Sequence, residues 1–311
     1  MKLIVTGASG FIGKNFLLKA PKNWKIKGFY WKDPDFCGFL KKNNLINVEP
    51  IKCDLTKINQ TRTVFQKFGK DWDTCLYLAA KVNIPESVKD PISDLECNTA
   101  ALLNFLNFFR GKRFVFMSSG AVYDGIKGGV YPGVALNPTL PYAISKLASE
   151  QYIKCFQERK QTIKEYTIIR FFGAYGPYEP SYKIYTKMLE TFCIRKEDKF
   201  TIRGDGKNII NAMYVEDAIR ALLKIVNNKI SNITVDLYGN ELVSINGLVR
   251  KTEKVLGVKK LNIIYKGGVP EYITFYSIDD SMKKIFNFSP IIPLEEGILK
   301  FKKFFLKYAR K

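Results

Sequence analysis

A glycine-rich turn near the start of the chain constrains the fold more than any other feature. The apolar run Lys2–Thr6 predicts a β-strand, and a helical pattern begins at Phe11. Gly7, Gly10 and Gly13 lie between the strand and the first turn of that helix. This arrangement is typical of a turn that holds a dinucleotide pyrophosphate, because the glycines allow a close backbone approach and the helix N-terminus attracts the anion. The predicted cofactor contacts here are Gly7, Ser9, Gly10, Phe11, Ile12 and Gly13.

Short apolar runs alternate with helical patterns along most of the chain. The predicted strands are Lys2–Thr6, Lys25–Trp31, Val48–Cys53, Thr74–Ala79, Arg113–Ser118, Tyr166–Phe171 and Thr234–Tyr238. The predicted helices include Phe11–Ala20, Ile92–Phe109, Tyr142–Arg159 and Val215–Val226. The strands lack strict polar alternation, which is typical of strands buried on both faces of a sheet. We therefore predict an α/β fold with a doubly wound parallel (Rossmann) sheet, and a ligand crevice at the carboxyl ends of its strands.

The pattern loosens after Phe172, which favours a second, smaller unit. We expect residues 1–172 with 208–248 to form an NAD(P)-binding Rossmann domain, and residues 173–207 with 249–311 to form a C-terminal substrate-binding lobe. The tail Leu294–Lys311 predicts a basic amphipathic helix. Its aromatic face either docks on the body of the protein, which we favour, or contacts a membrane surface. That face consists of Phe301, Phe304, Phe305 and Tyr308.

Composition excludes several classes of site. The 311 residues contain no histidine, and the six cysteines form no CxxC pair. Catalysis that needs a histidine base is excluded, and a Cys/His metal site is not expected. The net charge of +21 favours anionic partners. No nucleic-acid motif is present, so we expect no nucleic-acid partner and attribute most of the scattered lysines to compositional bias.

The sequence contains no pattern for secretion or for a membrane span. The chain passes from Lys2 directly into the first predicted strand, unlike a signal peptide. No apolar run is long enough to cross a bilayer. We therefore expect a cytoplasmic protein without stable membrane insertion.

Tyr142 and Lys146 have the i, i+4 spacing that places two side chains on one face of a helix. An ammonium group there lowers the pKa of the phenol, so that the tyrosine can act as a base. Ser118 and Ser119 end a predicted strand, where a hydroxyl would face the crevice. Each feature alone also fits an ordinary turn or helix surface. Together with the glycine turn, they predict an active site.

These motifs resemble the extended short-chain dehydrogenase/reductases of the NAD-dependent epimerase/dehydratase family, such as UDP-galactose 4-epimerase. The likeness runs nearly end to end, through Thr6–Gly13, Asp54–Leu55, Leu78–Ala80, Glu86–Val88, Pro91, Asn98, Phe116–Tyr123, Pro141–Lys146, Arg170–Pro177 and Tyr214–Asp217. The resemblance implies that Ser119, rather than Ser118, is catalytic together with Tyr142 and Lys146. It also implies a cofactor site that includes Asp54, Leu55, Leu78, Ala79, Ala80, Asn98, Tyr142 and Lys146. We expect a homodimer.

The chain departs from the family pattern where the substrate binds. Gly173 stands where the family has an asparagine that contacts the substrate phosphates, and Ile210-Asn211 replaces an Arg-Asp pair. Arg203, Lys207 and Lys266 are the candidate cations that take their place. Gly120-Ala121 replaces the acid–base pair of the sugar dehydratases, which disfavours dehydration. The predicted substrate contacts are Ser119, Gly173, Arg203 and Lys266.

The end of the second predicted strand leaves the choice between NAD and NADP open. NAD-specific relatives carry an acidic residue there that binds the ribose hydroxyls, and Asp33 lies a position or two late. Lys32 could meet a 2′-phosphate, and Trp31 could stack on the adenine. No metal cofactor is expected.

The residues favour one function and leave two alternatives. In a sugar-nucleotide epimerase, deprotonated Tyr142 takes a proton from a sugar hydroxyl while a hydride passes to the nicotinamide and returns to the other face. An NADPH-dependent keto-sugar reductase would use the same residues once per turnover, and the substrate could also be a sugar without a nucleotide. A non-catalytic binding protein is disfavoured, because Ser119, Tyr142 and Lys146 are all intact.

Overall fold

The computed structural model describes residues 1–68, 72–268 and 273–309. A sheet of seven strands forms its centre, and every pair of neighbours is parallel. These strands are β1 (Lys2–Thr6), β2 (Lys25–Tyr30), β3 (Val48–Lys52), β4 (Trp72–Tyr77), β5 (Gly111–Ser119), β6 (Ile163–Phe171) and β7 (Ile233–Leu237). Their order is β7-β6-β5-β4-β1-β2-β3, so the chain reverses its direction of progress between β1 and β4. The predicted Rossmann sheet is confirmed, with small shifts at the strand ends.

Helices connect these strands and cover both faces of the sheet. They are α1 (Phe11–Lys19), α2 (Phe36–Lys42), α3 (Ile58–Gln66), α4 (Ile84–Lys89), α5 (Pro91–Leu95), α6 (Ala101–Phe108), α7 (Pro141–Cys155), α8 (Ile184–Leu189), α9 (Val215–Asn227), α10 (Ile245–Leu256), α11 (Ser281–Phe286) and α12 (Leu294–Ala309). The π-helical segments are Glu96–Ala100, Phe156–Lys160 and Glu190–Ile194, and a 3₁₀ turn covers Gly120–Tyr123. The predicted helix Ile92–Phe109 therefore consists of α5, a π-helical segment and α6 in series.

Short strands pair outside the central sheet. The pairs are Ala174–Tyr175 with Met213–Tyr214, Ile209–Ile210 with Val243–Ser244, Lys199–Arg203 with Asn262–Lys266, and Lys127–Val130 with Thr274–Ser277. The two strands of each pair lie far apart in the sequence, so each pairing holds a later segment of the chain against an earlier one.

Burial on both faces explains why the central strands lack polar alternation. On β1, Leu3 and Val5 belong to one apolar cluster, and Ile4 between them belongs to another. All three side chains are fully buried. Because successive residues of a strand point to opposite faces, each face of the sheet must pack against its own layer of helices.

A third apolar cluster lies apart from the central sheet. It includes Tyr185 on α8, Leu248 on α10 and Phe301 on α12, together with Leu261, which directly precedes the short strand Asn262–Lys266. α10 begins inside the range predicted for the Rossmann domain, but its buried residues pack in this third cluster. The predicted domain boundaries stay a prediction.

The C-terminal helix docks on the body of the protein. Phe301 of α12 is buried in the third cluster, and Phe304 and Phe305 pack against it. The side chain of Tyr308 lies outside the described part of the chain. Among the described helices, none is both long and apolar enough to cross a membrane.

Candidate active site

The glycine turn joins β1 to α1 at the carboxyl edge of the sheet. Gly7 has a φ of +63°, and a Cβ there would lie 2.9 Å from the backbone nitrogen of Ala79. A Cβ at Gly13 would lie 2.3 Å from the Gly7 carbonyl oxygen. Gly10 is the N-cap of α1 and offers no side-chain cap, and the first turn of α1 has no acidic residue. The first N–H groups of this helix are therefore available to an anion such as a pyrophosphate.

The predicted cofactor run after β4 lies directly beside this turn. The hydroxyl oxygen of Thr6 accepts hydrogen bonds from the backbone nitrogens of Leu78 (3.0 Å) and Ala79 (3.1 Å). The buried Asn98 side chain accepts from the Lys81 nitrogen at 2.9 Å and donates to the Lys81 carbonyl at 3.1 Å. Asn98 thus fixes the backbone of Lys81, which directly follows the predicted cofactor run Leu78–Ala80.

The residues after β2 are exposed at the same edge. The Asp33 carboxylate forms an ion pair with Lys14 of α1 at 2.7 Å. Lys32 is exposed, and within the described ranges it has no ion-pair partner. Trp31 is 40% exposed, and the ammonium of Lys52 lies 5.7 Å from the centroid of its ring. Of the two charged candidates after β2, only the lysine is without a counter-ion among the described residues.

Asp54 and Leu55 form the turn that follows β3. The Asp54 carboxylate accepts hydrogen bonds from the backbone nitrogen (3.0 Å) and the hydroxyl (2.7 Å) of Thr56. Leu55 is buried in the cluster on one face of the sheet. The pair therefore lies at the strand-end edge of the sheet, and its aspartate stabilises a local turn.

Two neighbouring serines at the end of β5 have different surroundings. The Ser118 hydroxyl donates to the Glu150 carboxylate at 2.5 Å, and both side chains are buried. The Ser119 hydroxyl accepts from the Ala121 nitrogen at 3.1 Å, and its hydrogen bond with Tyr142 lowers the pKa of that phenol. The structure therefore brings Ser119, and not Ser118, to Tyr142.

Tyr142 and Lys146 lie on the buried face of α7. Burial raises the pKa of Tyr142 to about 12, against the smaller opposing effect of Ser119. Burial also lowers the pKa of Lys146 to about 8. The Lys146 ammonium lies 5.9 Å from the Tyr142 ring centroid and donates to the Met117 carbonyl at 2.9 Å. The sequence predicted that the lysine lowers the pKa of the phenol, but burial of the phenol is the largest effect on this pKa and raises it.

A buried polar network supports the serine-bearing end of β5 from behind. The Glu150 carboxylate of α7 forms an ion pair with Arg170 of β6 at 2.8 Å. Arg170 also donates to the Tyr123 hydroxyl at 3.1 Å, and Tyr123 donates to the Asp236 carboxylate at 2.8 Å. With Ser118, these groups join β5, β6, β7 and α7 through satisfied hydrogen bonds, which favours a single arrangement of the elements.

The predicted substrate cations come together through strand pairing. Arg203 and Lys266 are opposite each other in the parallel pair of short strands, and both are exposed. Gly173 has a φ of +111°, and its carbonyl accepts from the Met213 nitrogen at 3.1 Å. Asn211 is buried and donates to backbone carbonyls in the loop after β7. In the described ranges, no contact joins the Arg203–Lys266 pair to Tyr142 or Lys146.

The sequence analysis missed three polar side chains beside Tyr142. The Ser87 hydroxyl accepts from the Tyr142 backbone nitrogen at 3.3 Å. Tyr182 and Asp94 both raise the pKa of the Tyr142 phenol, and Asp94 is fully buried. An aspartate in the first turn of a helix usually indicates a solvated charge near the helix dipole, so no sequence signal identified Asp94.

Comparison with known proteins assigns the family. The model of the NAD dependent epimerase/dehydratase family matches residues 3–236, more than half of the chain. The chain is similar to a putative UDP-glucose 4-epimerase of Methanocaldococcus jannaschii, with 28% identity over 95% of both chains. It is also similar to an uncharacterized UDP-glucose epimerase of Bacillus subtilis, with 26% identity over 96% of both chains.

A solved structure shares the fold. The UDP-glucose 4-epimerase of Thermotoga maritima matches 99% of this chain and 100% of its own with a TM-score of 0.88, at 23% identity. The family match covers the glycine turn, the serines of β5 and the tyrosine–lysine pair of α7. The chain therefore belongs to the NAD-dependent epimerase/dehydratase family.

Proposed function

We propose that this protein is an NAD(P)-dependent epimerase of nucleotide-linked sugars that works by transient oxidation of a sugar hydroxyl. The observation that carries the proposal is the convergence of Ser119 and Lys146 on the buried Tyr142 at the carboxyl end of β5. Two curated relatives are named as a putative and an uncharacterized UDP-glucose epimerase, and these names support a UDP-sugar as the substrate.

The glycine turn fits the pyrophosphate of a dinucleotide. Side chains at Gly7 or Gly13 would collide with backbone atoms, so the turn keeps the α1 N-terminus close to β1 and open to an anion. We propose that the strand-end residues line the rest of the cofactor, namely Trp31, Lys32, Asp54, Leu55, Leu78, Ala79 and Ala80. Asn98 holds the run Leu78–Ala80 in place through the backbone of Lys81. Bound NAD(P) supplies the nicotinamide that accepts a hydride from the sugar carbon and later returns it.

Proton transfer falls to Tyr142. As a phenolate it takes the proton of the sugar hydroxyl, and as a phenol it returns the proton after the keto-sugar has turned over. Because burial raises the pKa of Tyr142 to about 12, the phenolate requires nearby positive charge. The Lys146 ammonium supplies one such charge and binds the nicotinamide ribose. Ser119 donates a hydrogen bond to the reacting oxygen.

The substrate diphosphate needs cations, and the family's usual partners are replaced at Gly173 and Ile210. We propose that Arg203 and Lys266 supply that charge, because strand pairing holds them side by side and both are exposed. A guanidinium can bind a phosphate through two parallel hydrogen bonds, so Arg203 is the stronger of the two.

The test is conversion of a panel of UDP- and GDP-sugars, followed by NMR of the sugar ring protons. An epimerase interconverts two sugars without net consumption of NAD(P)H. If no nucleotide sugar binds at millimolar concentration, the nucleotide part of the proposal fails, and free sugars and sugar monophosphates become the substrates to screen.

A second candidate, an NADPH-dependent keto-sugar reductase, is favoured by one observation. Lys14 engages the carboxylate of Asp33, whereas Lys32 has no counter-ion among the described residues and remains available for a 2′-phosphate. Loss of one NADPH per sugar converted identifies the reductase in the same assay.

We propose that the enzyme is a cytoplasmic homodimer. All six cysteines are free, which fits a reducing compartment. Exposed apolar side chains lie on the neighbouring helices α4, α5 and α7, and we call them the apolar patch: Val88, Ile92, Leu95, Ile144 and Tyr152. Exposed apolar surface of this kind is typical of the interface of a two-fold dimer.

A further inference from the structure

A buried carboxylate on α5 forms no ion pair with any residue that the structure describes. Asp94 of α5 is fully buried, and its Oδ1 accepts a hydrogen bond from the Asn98 amide at 2.9 Å. Its Oδ2 is also buried and has no hydrogen-bond partner among the described residues. A buried carboxylate without such partners is costly. An interaction with a nearby positive charge would offset this cost.

α5 packs against α7, where the buried side chain of Lys146 carries the positive charge on which Asp94 acts. The charged groups that act on its ammonium are Glu150 on its own helix and Asp94 on α5, and both raise the pKa of Lys146. From β5, Lys146 meets the uncharged carbonyl of Met117 and the ring of Phe116. On its own helix, the ring of the titratable Tyr142 lies 5.9 Å from the Lys146 ammonium.

The two carboxylates are not equivalent. Glu150 forms an ion pair with Arg170 and accepts a hydrogen bond from Ser118, so its negative charge is already balanced. Asp94 forms no ion pair within the described ranges, and its one hydrogen bond comes from a neutral amide. Asp94 is therefore the carboxylate whose charge remains available to Lys146.

The same amide connects Asp94 with the predicted cofactor run. The Asn98 side chain donates to the Asp94 carboxylate. It also accepts from the backbone nitrogen of Lys81 and donates to the Lys81 carbonyl. The carboxylate thus keeps a fixed place between α7 and the segment after β4.

We propose that Asp94 is a positioning residue, whose buried negative charge keeps Lys146 in the ammonium form that binds the cofactor ribose. The inference rests on the proposed role of Lys146 in cofactor binding. Burial lowers the pKa of Lys146 to about 8, so the ammonium is present below that pH and is lost above it. Removal of the Asp94 charge lowers the pKa of Lys146 further, and the ammonium is then lost at a lower pH.

The experiment measures cofactor affinity against pH by calorimetric titration with NADH and NADPH, without any sugar. For Asp94→Asn, which keeps the shape of the side chain, we expect the alkaline loss of affinity to move to lower pH by about one unit, the scale of a nearby opposite charge. At about pH 9 the variant should bind roughly tenfold more weakly than the wild type, and at about pH 6.5 the two should agree.

Asp90→Asn is the matched control, because Asp90 caps the same helix from the exposed surface. We expect it to leave both the melting temperature and the pH profile nearly unchanged, because asparagine caps a helix about as well as aspartate. If Asp94→Asn does not fold, Asp94→Ser removes the charge without added volume and takes its place. An unshifted profile in the folded variant, or an equal shift in Asp90→Asn, would overturn the inference.

Failure of the proposed function gives a different result. A wild type that binds NADH with the expected pH profile but converts no sugar refutes the epimerase and leaves the role of Asp94 intact. A wild type that binds neither cofactor refutes both.

Discussion

Ser118 and Ser119 are neighbours on β5, so their side chains point to opposite faces of the sheet. Ser118 turns to Glu150 in the buried network, and Ser119 turns to Tyr142. The hydroxyl of Ser118 is therefore structural, whereas the hydroxyl of Ser119 faces the candidate active site. At the scale of the residue, the proposed chemistry depends on which face a side chain occupies and on what it meets there.

Tyr142→Phe tests the proposed base. The change removes one hydroxyl and keeps the buried ring, so we expect folding and cofactor affinity to be nearly unchanged. Turnover should fall by about 10²–10⁴-fold, the usual contribution of a general acid or base. The measurement is the initial rate on the sugar that the wild type converts, together with the melting temperature.

Tyr166→Phe is the matched control, because Tyr166 lies in the amino half of β6, away from the candidate active site and from the proposed dimer interface. It should keep wild-type turnover. Near wild-type turnover in Tyr142→Phe would remove Tyr142 from the mechanism.

Lys32→Glu tests the choice of cofactor. If the exposed ammonium binds the 2′-phosphate, the change should weaken NADP binding by about 1–3 kcal/mol, the scale of a hydrogen bond to a charged group. NAD binding should change little, because NAD carries no 2′-phosphate. Titration of both cofactors gives the two affinities.

The control for Lys32→Glu is Lys41→Glu, which changes the net charge equally at an exposed position of α2. Equal losses for NAD and NADP in Lys32→Glu, or a matching loss in Lys41→Glu, would show that Lys32 does not distinguish the cofactors.

Single residues also mark the limit of prediction from the sequence. Tyr142 and Lys146 were predictable because their spacing on one helix is a local pattern. Asp94 was not, because its proximity to Lys146 depends on how α5 packs against α7. The pKa of Tyr142 was wrongly expected to fall, because the sequence shows the neighbouring lysine but not the desolvation of the buried phenol.

At the scale of the element, the glycine turn and the cation pair differ in how far they were predictable. The turn is a contiguous strand–turn–helix motif, and its prediction from the sequence is confirmed by the bounds of β1 and α1. Arg203 and Lys266 are adjacent only because two short strands pair in parallel, and both strands lie after the region where the alternating pattern weakens. Neither short strand was predicted, since brief half-exposed runs carry a weak periodic signal.

Gly13→Ala tests the packing of α1 on the glycine turn. The new Cβ would lie 2.3 Å from the Gly7 carbonyl oxygen and 2.7 Å from that of Ala8, so the helix must move away. We expect the free energy of unfolding to fall by about 1–3 kcal/mol, as in other overpacked cores. Cofactor affinity should fall as well, because the helix N-terminus moves. Denaturant unfolding and cofactor titration measure the two effects.

Gly268→Ala is the control for this change, because a Cβ there would meet nothing within 4 Å. It should leave both the stability and the cofactor affinity unchanged. A fully stable Gly13→Ala variant with normal affinity would show that close packing at this turn is not required.

In the protein as a whole, the apolar patch lies on the same helices that carry the candidate active site. α7 presents Tyr142 and Lys146 on its buried face, and Ile144 and Tyr152 on its exposed face. Asp94 is buried on α5, next to the exposed Leu95. A second copy packed on this patch would restrain α5 and α7 from outside, and so would also steady the groups proposed for catalysis.

Ile92→Glu tests the proposed dimer. Ile92 is 71% exposed in the single chain, so a charge there should not disturb the fold of the protomer. At a two-fold interface the glutamate would be buried twice, once from each protomer, and its desolvation would oppose association. We expect sedimentation velocity to show a dimer for the wild type and a monomer for the variant.

Ile46→Glu, at an 88% exposed position before β3, should remain dimeric. A monomeric wild type, or a variant that still dimerises, would contradict the proposed interface.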